Sequence, residues 1–251
     1  GIIRTKTELT DEQPSVSIII AAHNEGQNIA SCLNSILRQD YPHEKMEIIV
    51  VNDRSEDDTG IILSKYEKEH PYLNVITINK IEEGISPKKY ALTQGISAAE
   101  GEIIATTDAD CEPPEEWLKT LVSYFTSETG MVVGIASLKP NSWCLSPLIC
   151  IDALMAGLAA YGSLGWKHPV AATGRNIAYR KIAFDEVHGF SGLMHILSGD
   201  DILLVQKVSE KTDWVIRFQP DSDALVPSCT PGGWAQFIAQ RKRHIFTSKY
   251  F

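Results

Sequence analysis

The sequence predicts an α/β fold, a mostly parallel central sheet flanked by helices. Three observations carry that prediction. Short apolar, β-branched runs alternate four times with stretches of helical periodicity within the first half of the 251 residues. The strand-like runs are apolar at consecutive positions, so both faces need cover, as in a buried parallel sheet. Acidic residues stand directly after two of these runs, where such a sheet collects its ligand.

The elements follow in order. An arm up to about Gln13 is polar and aperiodic, so 1–13 reads as a strap and 14–251 as one domain with halves at 14–137 and 138–251. Val16 to Ala22 is a continuous apolar run, hence a strand. Ile29, Cys32, Leu33, Ile36 and Leu37 then recur at helical spacing. Glu47 to Val51 gives the second strand, Ile61 to Tyr66 a helix, and Val75 to Ile78 the third strand. Pro87 suits the first turn of a helix, because its missing N–H has no partner there anyway. Glu102 to Thr107 and Met131 to Ala136 are the next strands. Leu148, Ile149, Ile151, Leu154, Met155 and Leu158 read most simply as a core helix, or as a hydrophobic wall for a lipid-borne molecule. Helices over Arg180 to Val187 and from Asp200, a strand over Trp214 to Gln219, and an amphipathic helix from about Gly232 complete the chain.

Composition narrows the function. At 43% hydrophobic and 22% charged the chain is globular, and 32 acidic against 23 basic residues give a net charge of -9, which argues against binding nucleic acid. Basic residues gather only after the last acidic one, Asp223, in Arg241, Lys242, Arg243, His244 and Lys249. The five cysteines form no C-x-x-C pair and read as reduced thiols of a cytosolic compartment. No signal peptide is expected near Gly1. Between Lys139 and Lys167 the only charge is Asp152, but Pro140, Pro147 and three glycines interrupt the stretch, which suits an interfacial or buried helix better than a membrane span.

The chemistry-bearing residues are carboxylates. Asp53 follows Ile48 to Asn52 and is either a helix cap or a ligand group. In Asp108-Ala109-Asp110, extended backbone would point both carboxylates into one cleft, where like charges call for a cation. With no His or Cys beside them, these hard oxygens suit Mn²⁺ or Mg²⁺ carrying a phosphate. Ser198-Gly199-Asp200-Asp201 precedes an apolar helix, so one carboxylate can cap while the other projects as a general base. His195 lies close enough in sequence to share that loop. G-x-G-x-x-G, P-loop and G-x-S-x-G motifs are absent.

Taken in order, these segments resemble family 2 glycosyltransferases of the GT-A fold. The matching stretches are Ser17 to Glu25, Val50 to Ser55, Lys88 before Ala91-Leu92, Asp108-Ala109-Asp110, Gly174 to Lys181, Gly189-Phe190, Gly199-Asp200-Asp201 and Gln240 to Arg243. The resemblance implies a Rossmann-like nucleotide-binding half over 14–137 and an acceptor-binding half over 138–251. It implies an inverting transfer of a sugar from a nucleoside-diphosphate sugar, a UDP-sugar being favoured, to a glycan or lipid hydroxyl. By position, Ala22, His23, Glu25, Asp53, Lys88 and Asp108 would hold the nucleotide. Asp110, with Asp108 beside it, would bind Mn²⁺ or Mg²⁺, and Asp201 would be the catalytic base. Asp200, Gln240, Arg243 and His244 would face the acceptor or diphosphate, Gln240 and Arg243 matching the Q-x-x-R-W element of processive cellulose, chitin and hyaluronan synthases. His244 replaces the Trp of that element, Thr93 a common Asn, and His188 a frequent Gly. The basic, aromatic ending resembles a juxtamembrane segment, implying a catalytic portion of a longer chain at the cytoplasmic face of a membrane. The competing expectations are a non-catalytic sugar-nucleotide-binding subunit and a sugar nucleotidyltransferase.

Overall fold

A computed structural model describes residues 10, 12–164, 172, 174–235, 237–238 and 242. The first half runs β1 (Val16–Ala22), α1 (Ile29–Leu37), β2 (Met46–Asp53), α2 (Thr59–Glu69), β3 (Leu73–Ile78), α3 (Pro87–Ala98), β4 (Ile103–Asp108), α4 (Trp117–Ser123) and β5 (Thr129–Gly134). The second runs β6 (Ala136–Lys139), α5 (Ser146–Leu164), β7 (Ile177–Arg180), α6 (Lys181–Glu186), α7 (Asp200–Lys211), β8 (Val215–Gln219) and β9 (Val226–Cys229).

The alternation of the first half becomes a seven-stranded sheet of order β3-β2-β1-β4-β7-β5-β8. Every pairing is parallel except those of β7, which runs antiparallel to both β4 and β5. Continuous apolarity is explained by burial on both faces. Ile18 and Ile20 of β1 pack with Ile29, Leu33 and Trp117 on one side, while Ile19 packs with Ala91, Leu92 and Ile96 on the other. Each such side chain, wholly removed from water, contributes roughly 1.5–3 kcal/mol. Register brings Ala21 opposite both Val51 and Asp108, so β1, β2 and β4 end level at one edge of the sheet.

Periodicity does not reveal every element. β7 and β9 are four residues each, too short to show a pattern, and the expected strand over 131–136 divides into β5 and β6. β6 pairs with β9 in a separate two-stranded sheet. The core-helix reading of α5 is corrected: Ile149 is buried, but Leu148, Ile151, Leu154 and Met155 are exposed. None of the described helices is long and apolar enough to cross a membrane. All five cysteines are outside disulfides. His188 adopts φ +56°, a left-handed conformation that favours glycine and costs another residue roughly 1–2 kcal/mol.

Asn176 joins the two sheets. Its Nδ2 donates to the carbonyls of Ile135 (2.7 Å) and Ala224 (2.6 Å), and its Oδ1 accepts from Trp117 Nε1 (2.9 Å). Asn176→Ala leaves the Trp117 N–H and the Ala224 carbonyl unpaired, the Ile135 carbonyl keeping the Val226 N–H, and is expected to lower unfolding stability by about 2 kcal/mol or more in urea denaturation. A loss below about 1 kcal/mol would contradict the assignment.

Candidate functional site

The level ends of β1, β2 and β4 supply the site's first wall. Ala22 is a buried strand residue, so only its backbone can meet a ligand. His23 Nδ1 bonds the Asp53 carbonyl at 2.6 Å. Asn24, at φ +56°, donates its N–H to Ser55 Oγ and accepts the Glu56 N–H on Oδ1. Glu25 and Gly26 donate their N–H groups to Thr59 Oγ1 and Asp57 Oδ2. The 23–26 loop is thus stitched to the segment after β2. The Glu25 carboxyl is pushed above its ordinary range by burial and, further, by Asp110, Asp108 and Asp57, against the Asn28 amide that holds it down.

Asp53 is not a helix cap, since Asp58 stands at the N-cap of α2. It is buried at the strand end, and both of its oxygens receive the Arg54 guanidinium, at 2.7 and 3.0 Å. A ligand hydroxyl or N–H could use the remaining lone pairs or displace Arg54.

Lys88 links the first wall to the second. From the first turn of α3 its ammonium lies 2.8 Å from Asp108 Oδ1 and 3.2 Å from Asp200 Oδ2. Burial alone would lower this ammonium, yet the two carboxylates hold it well above its ordinary range. Burial likewise works to raise Asp108, but Lys88 and then Arg175 overcome it and leave the carboxyl below its usual range. Asp108 is therefore ionised and already charge-paired.

Asp200 and Asp201 open α7 behind Gly199, which adopts φ +73° and is the N-cap, so neither carboxylate is the cap. Asp201 is held through both oxygens by backbone: Oδ2 accepts the Gly174 N–H at 2.7 Å and Oδ1 the Ile202 N–H at 2.8 Å. The Gly174 carbonyl in turn receives the Thr106 hydroxyl of β4. Burial, then the neighbouring Asp200 charge, pushes the Asp201 carboxyl up to about 6, against Lys88 and the two N–H bonds. A carboxylate oriented in this way, with a lone pair left on each oxygen and basicity near neutrality, can accept a proton from a bound hydroxyl.

Asp110 arrives differently from the strand alternation expected of it. β4 stops at Asp108, and Ala109 and Asp110 form a turn closed by the Cys111 N–H on the Asp108 carbonyl. Asp110 Oδ2 accepts the Ser228 hydroxyl at 3.0 Å, and Oδ1 lies 3.4 Å from Cys111 Sγ. Both Asp108 and Asp110 still act on Glu25 and on the buried Cys111 thiol, which burial first and these charges next push upward. Among the described residues no group of three or more His, Cys, Asp or Glu side chains is arranged to hold a metal. Two carboxylates supply hard oxygens of the kind Mn²⁺ or Mg²⁺ takes when it completes its shell with phosphate oxygens and water, so the donor set fits such an ion.

Gln240, Arg243 and His244 lie outside the described residues. His195 does sit on the loop before α7, on its exposed side. Four groups at the site escaped the reading of the sequence: the Gly174 N–H, Arg175, Ser228 and Lys89. Only Gly174 and Arg175 carried a signal, as part of a recognisable run.

The sequence profile described as Glycosyl transferase family 2 matches residues 17–145. The chain is 29% identical over 244 residues to a probable glycosyltransferase, YdaM, of Bacillus subtilis, covering 95% of this chain and 56% of that protein. It is 33% identical over 140 residues to a beta-monoglucosyldiacylglycerol synthase of Trichormus variabilis, covering 54% and 30%. The chain thus spans little more than half of the first relative and under a third of the second. Among solved structures, a mannosyltransferase of Pyrobaculum calidifontis in complex with GDP-Man and Mn²⁺ superposes with a TM-score of 0.71 at 21% identity, covering 93% of this chain and 61% of that one. At that identity the likeness shows a shared fold.

Proposed function

The chain belongs to glycosyl transferase family 2, and from that premise we propose that it transfers a sugar from a nucleoside-diphosphate sugar to an acceptor hydroxyl with inversion. One observation carries the reading: Lys88 bridges Asp108, at the sheet edge, and Asp200, next to the backbone-anchored Asp201. Nucleotide and base would thereby share one charge network.

In this reading His23, Glu25, Asp53, Lys88 and Asp108, with the Ala22 backbone, bind the nucleotide, and 14–137 is its half of a single domain over 14–251. Asp201 accepts the proton of the attacking hydroxyl as the bond from the anomeric carbon to the diphosphate oxygen breaks. Single displacement needs one base and no protein nucleophile, so Asp201 suffices. Asp110 and Asp108 would hold the divalent cation, Mn²⁺ or Mg²⁺, which when bound offsets the charge gathering on the leaving diphosphate. Lys88 keeps Asp108 ionised for that task. Asp200, Gln240, Arg243 and His244 are assigned to the acceptor or diphosphate, in the half over 138–251.

A UDP-sugar is the favoured donor, although the Pyrobaculum mannosyltransferase is described with GDP-Man. Its Mn²⁺ supports metal use. The acceptor is a glycan or a lipid. The exposed side chains of Leu148, Ile151, Leu154 and Met155, and the lipid product named for the Trichormus synthase, support a lipid-borne or membrane-delivered acceptor at a cytoplasmic membrane face. Calorimetry with UDP-, GDP- and dTDP-sugars, with and without Mn²⁺, followed by an assay of nucleotide release, tests the proposal. A UDP-sugar that binds only with metal and is turned over agrees with it. Binding without turnover on glycan or lipid acceptors would indicate a sensor subunit, and pyrophosphate release from a nucleoside triphosphate and a sugar phosphate a nucleotidyltransferase.

A further inference from the structure

We propose that Lys89 is a positioning residue for the transfer reaction, holding from below the loop that launches α7 and so fixing where Asp201 stands. The proposal rests on the reading of Asp201 as base.

Two consecutive lysines open α3, and successive helical residues diverge by about 100°. Lys88 turns toward the carboxylates, whereas Lys89 is wholly buried. Its Nζ donates to the carbonyls of Ile196 at 2.6 Å and Ser198 at 2.8 Å. Among the described residues no carboxylate lies within ion-pair distance of it. A buried ammonium without a direct counter-charge is strongly disfavoured, and a cation in the first turn of a helix is disfavoured again by the helix dipole. An apolar side chain of the same length would avoid both penalties. What it could not do is donate to two backbone carbonyls at once.

Those carbonyls bracket Leu197 and immediately precede Gly199, Asp200 and Asp201. The same loop is tied to the same helix end twice more, by the Ser86 N–H on the Met194 carbonyl at 2.6 Å and by Ser86 Oγ on the Leu197 carbonyl at 3.4 Å. Gly192 and Gly199, both at left-handed φ, mark its ends. The start of α3 therefore clasps the whole entry to α7. Both Asp201 oxygens take N–H bonds whose geometry depends on that entry. Burial holds the Lys89 ammonium below its ordinary range, and the charges of Asp200 and Asp201 offset that only in part.

The test compares Lys89→Met and Lys89→Gln with the wild-type protein by hydrogen exchange, nucleotide binding and turnover. Lys89→Met is expected to speed amide exchange over 193–203 at least about tenfold, since the clasp is what closes that segment. Turnover of the panel sugar used by the wild type should fall about 10- to 100-fold, the scale of a small misplacement of a catalytic group. Affinity for UDP or GDP with Mn²⁺ should stay within about twofold, because its wall is built on β1, β2 and β4. Lys89→Gln, neutral but still an N–H donor, should recover part of the protection and part of the rate. Should Lys89→Met fail to fold, the Gln variant and Lys89→Arg take its place with the same expectations, reduced in size. Turnover within about twofold of wild type in a folded Met variant overturns the proposal, as does unchanged exchange or nucleotide affinity falling in step with rate. Asp201→Asn is run beside them: if it keeps full turnover the base assignment falls, while the exchange data still decide whether Lys89 clasps the loop.

Discussion

Asp201→Asn is expected to lower kcat by roughly 10²–10⁴-fold, the usual contribution of a general base, while nucleotide binding with Mn²⁺ is retained. Asparagine keeps the shape and can still accept the Gly174 N–H through its amide oxygen, so the 2.7 Å anchor survives, while proton acceptance and the second bond, from the Ile202 N–H, are lost. The pH dependence sharpens the test. Burial and Asp200 push the Asp201 carboxyl up to about 6. A base works in its ionised form, so wild-type kcat should be full above that value and be lost as pH falls through it. The residual activity of the variant should lack this acid limb. Full transfer by Asp201→Asn, or a wild-type rate that stays flat between about pH 5 and 7, would remove Asp201 from the role of base.

The second large effect concerns the cation. Asp110→Asn is expected to weaken Mn²⁺-dependent nucleotide binding by on the order of 100-fold, with little change in binding measured without metal. Ser228→Ala removes only the hydroxyl that orients Asp110 Oδ2 at 3.0 Å and should cost about tenfold by the same calorimetry. Fold stability is not expected to suffer from Asp110→Asn, because the substitution relieves crowding among Asp108, Asp110 and Glu25, whose charges oppose one another in the metal-free protein. Equal losses with and without Mn²⁺ would instead mean that Asp110 contacts the nucleotide directly.

Much of this arrangement was legible in the sequence because the signals are local. Val16 to Ala22 and Ile48 to Val51 declare buried strands by continuous apolarity, and Asp53 and Asp108 declare the sheet's functional edge by standing at strand ends. The resemblance led one to expect glycine at His188, and the left-handed φ there is of the kind that favours it. Where local inference went astray, packing was the cause. The α5 residues have the composition of a core helix, but composition does not say whether anything lies against them, and most of that face is open. Asp108-Ala109-Asp110 was expected to share a cleft through strand alternation. The strand ends two residues too early for that, and a hydrogen bond from Ser228 does the orienting.

By itself the sequence determined the class of sheet, the order of its strand-end carboxylates and the family resemblance, since each is written in residues adjacent along the chain. Only the tertiary structure decided that one lysine of a consecutive pair bridges Asp108 and Asp200 while the other is sealed beneath the loop before α7. It alone placed the Gly174 N–H on Asp201, and Ser228, 118 residues away in sequence, on Asp110. Such contacts depend on how loops close over the sheet edge, and residue spacing along a chain does not encode distance through space.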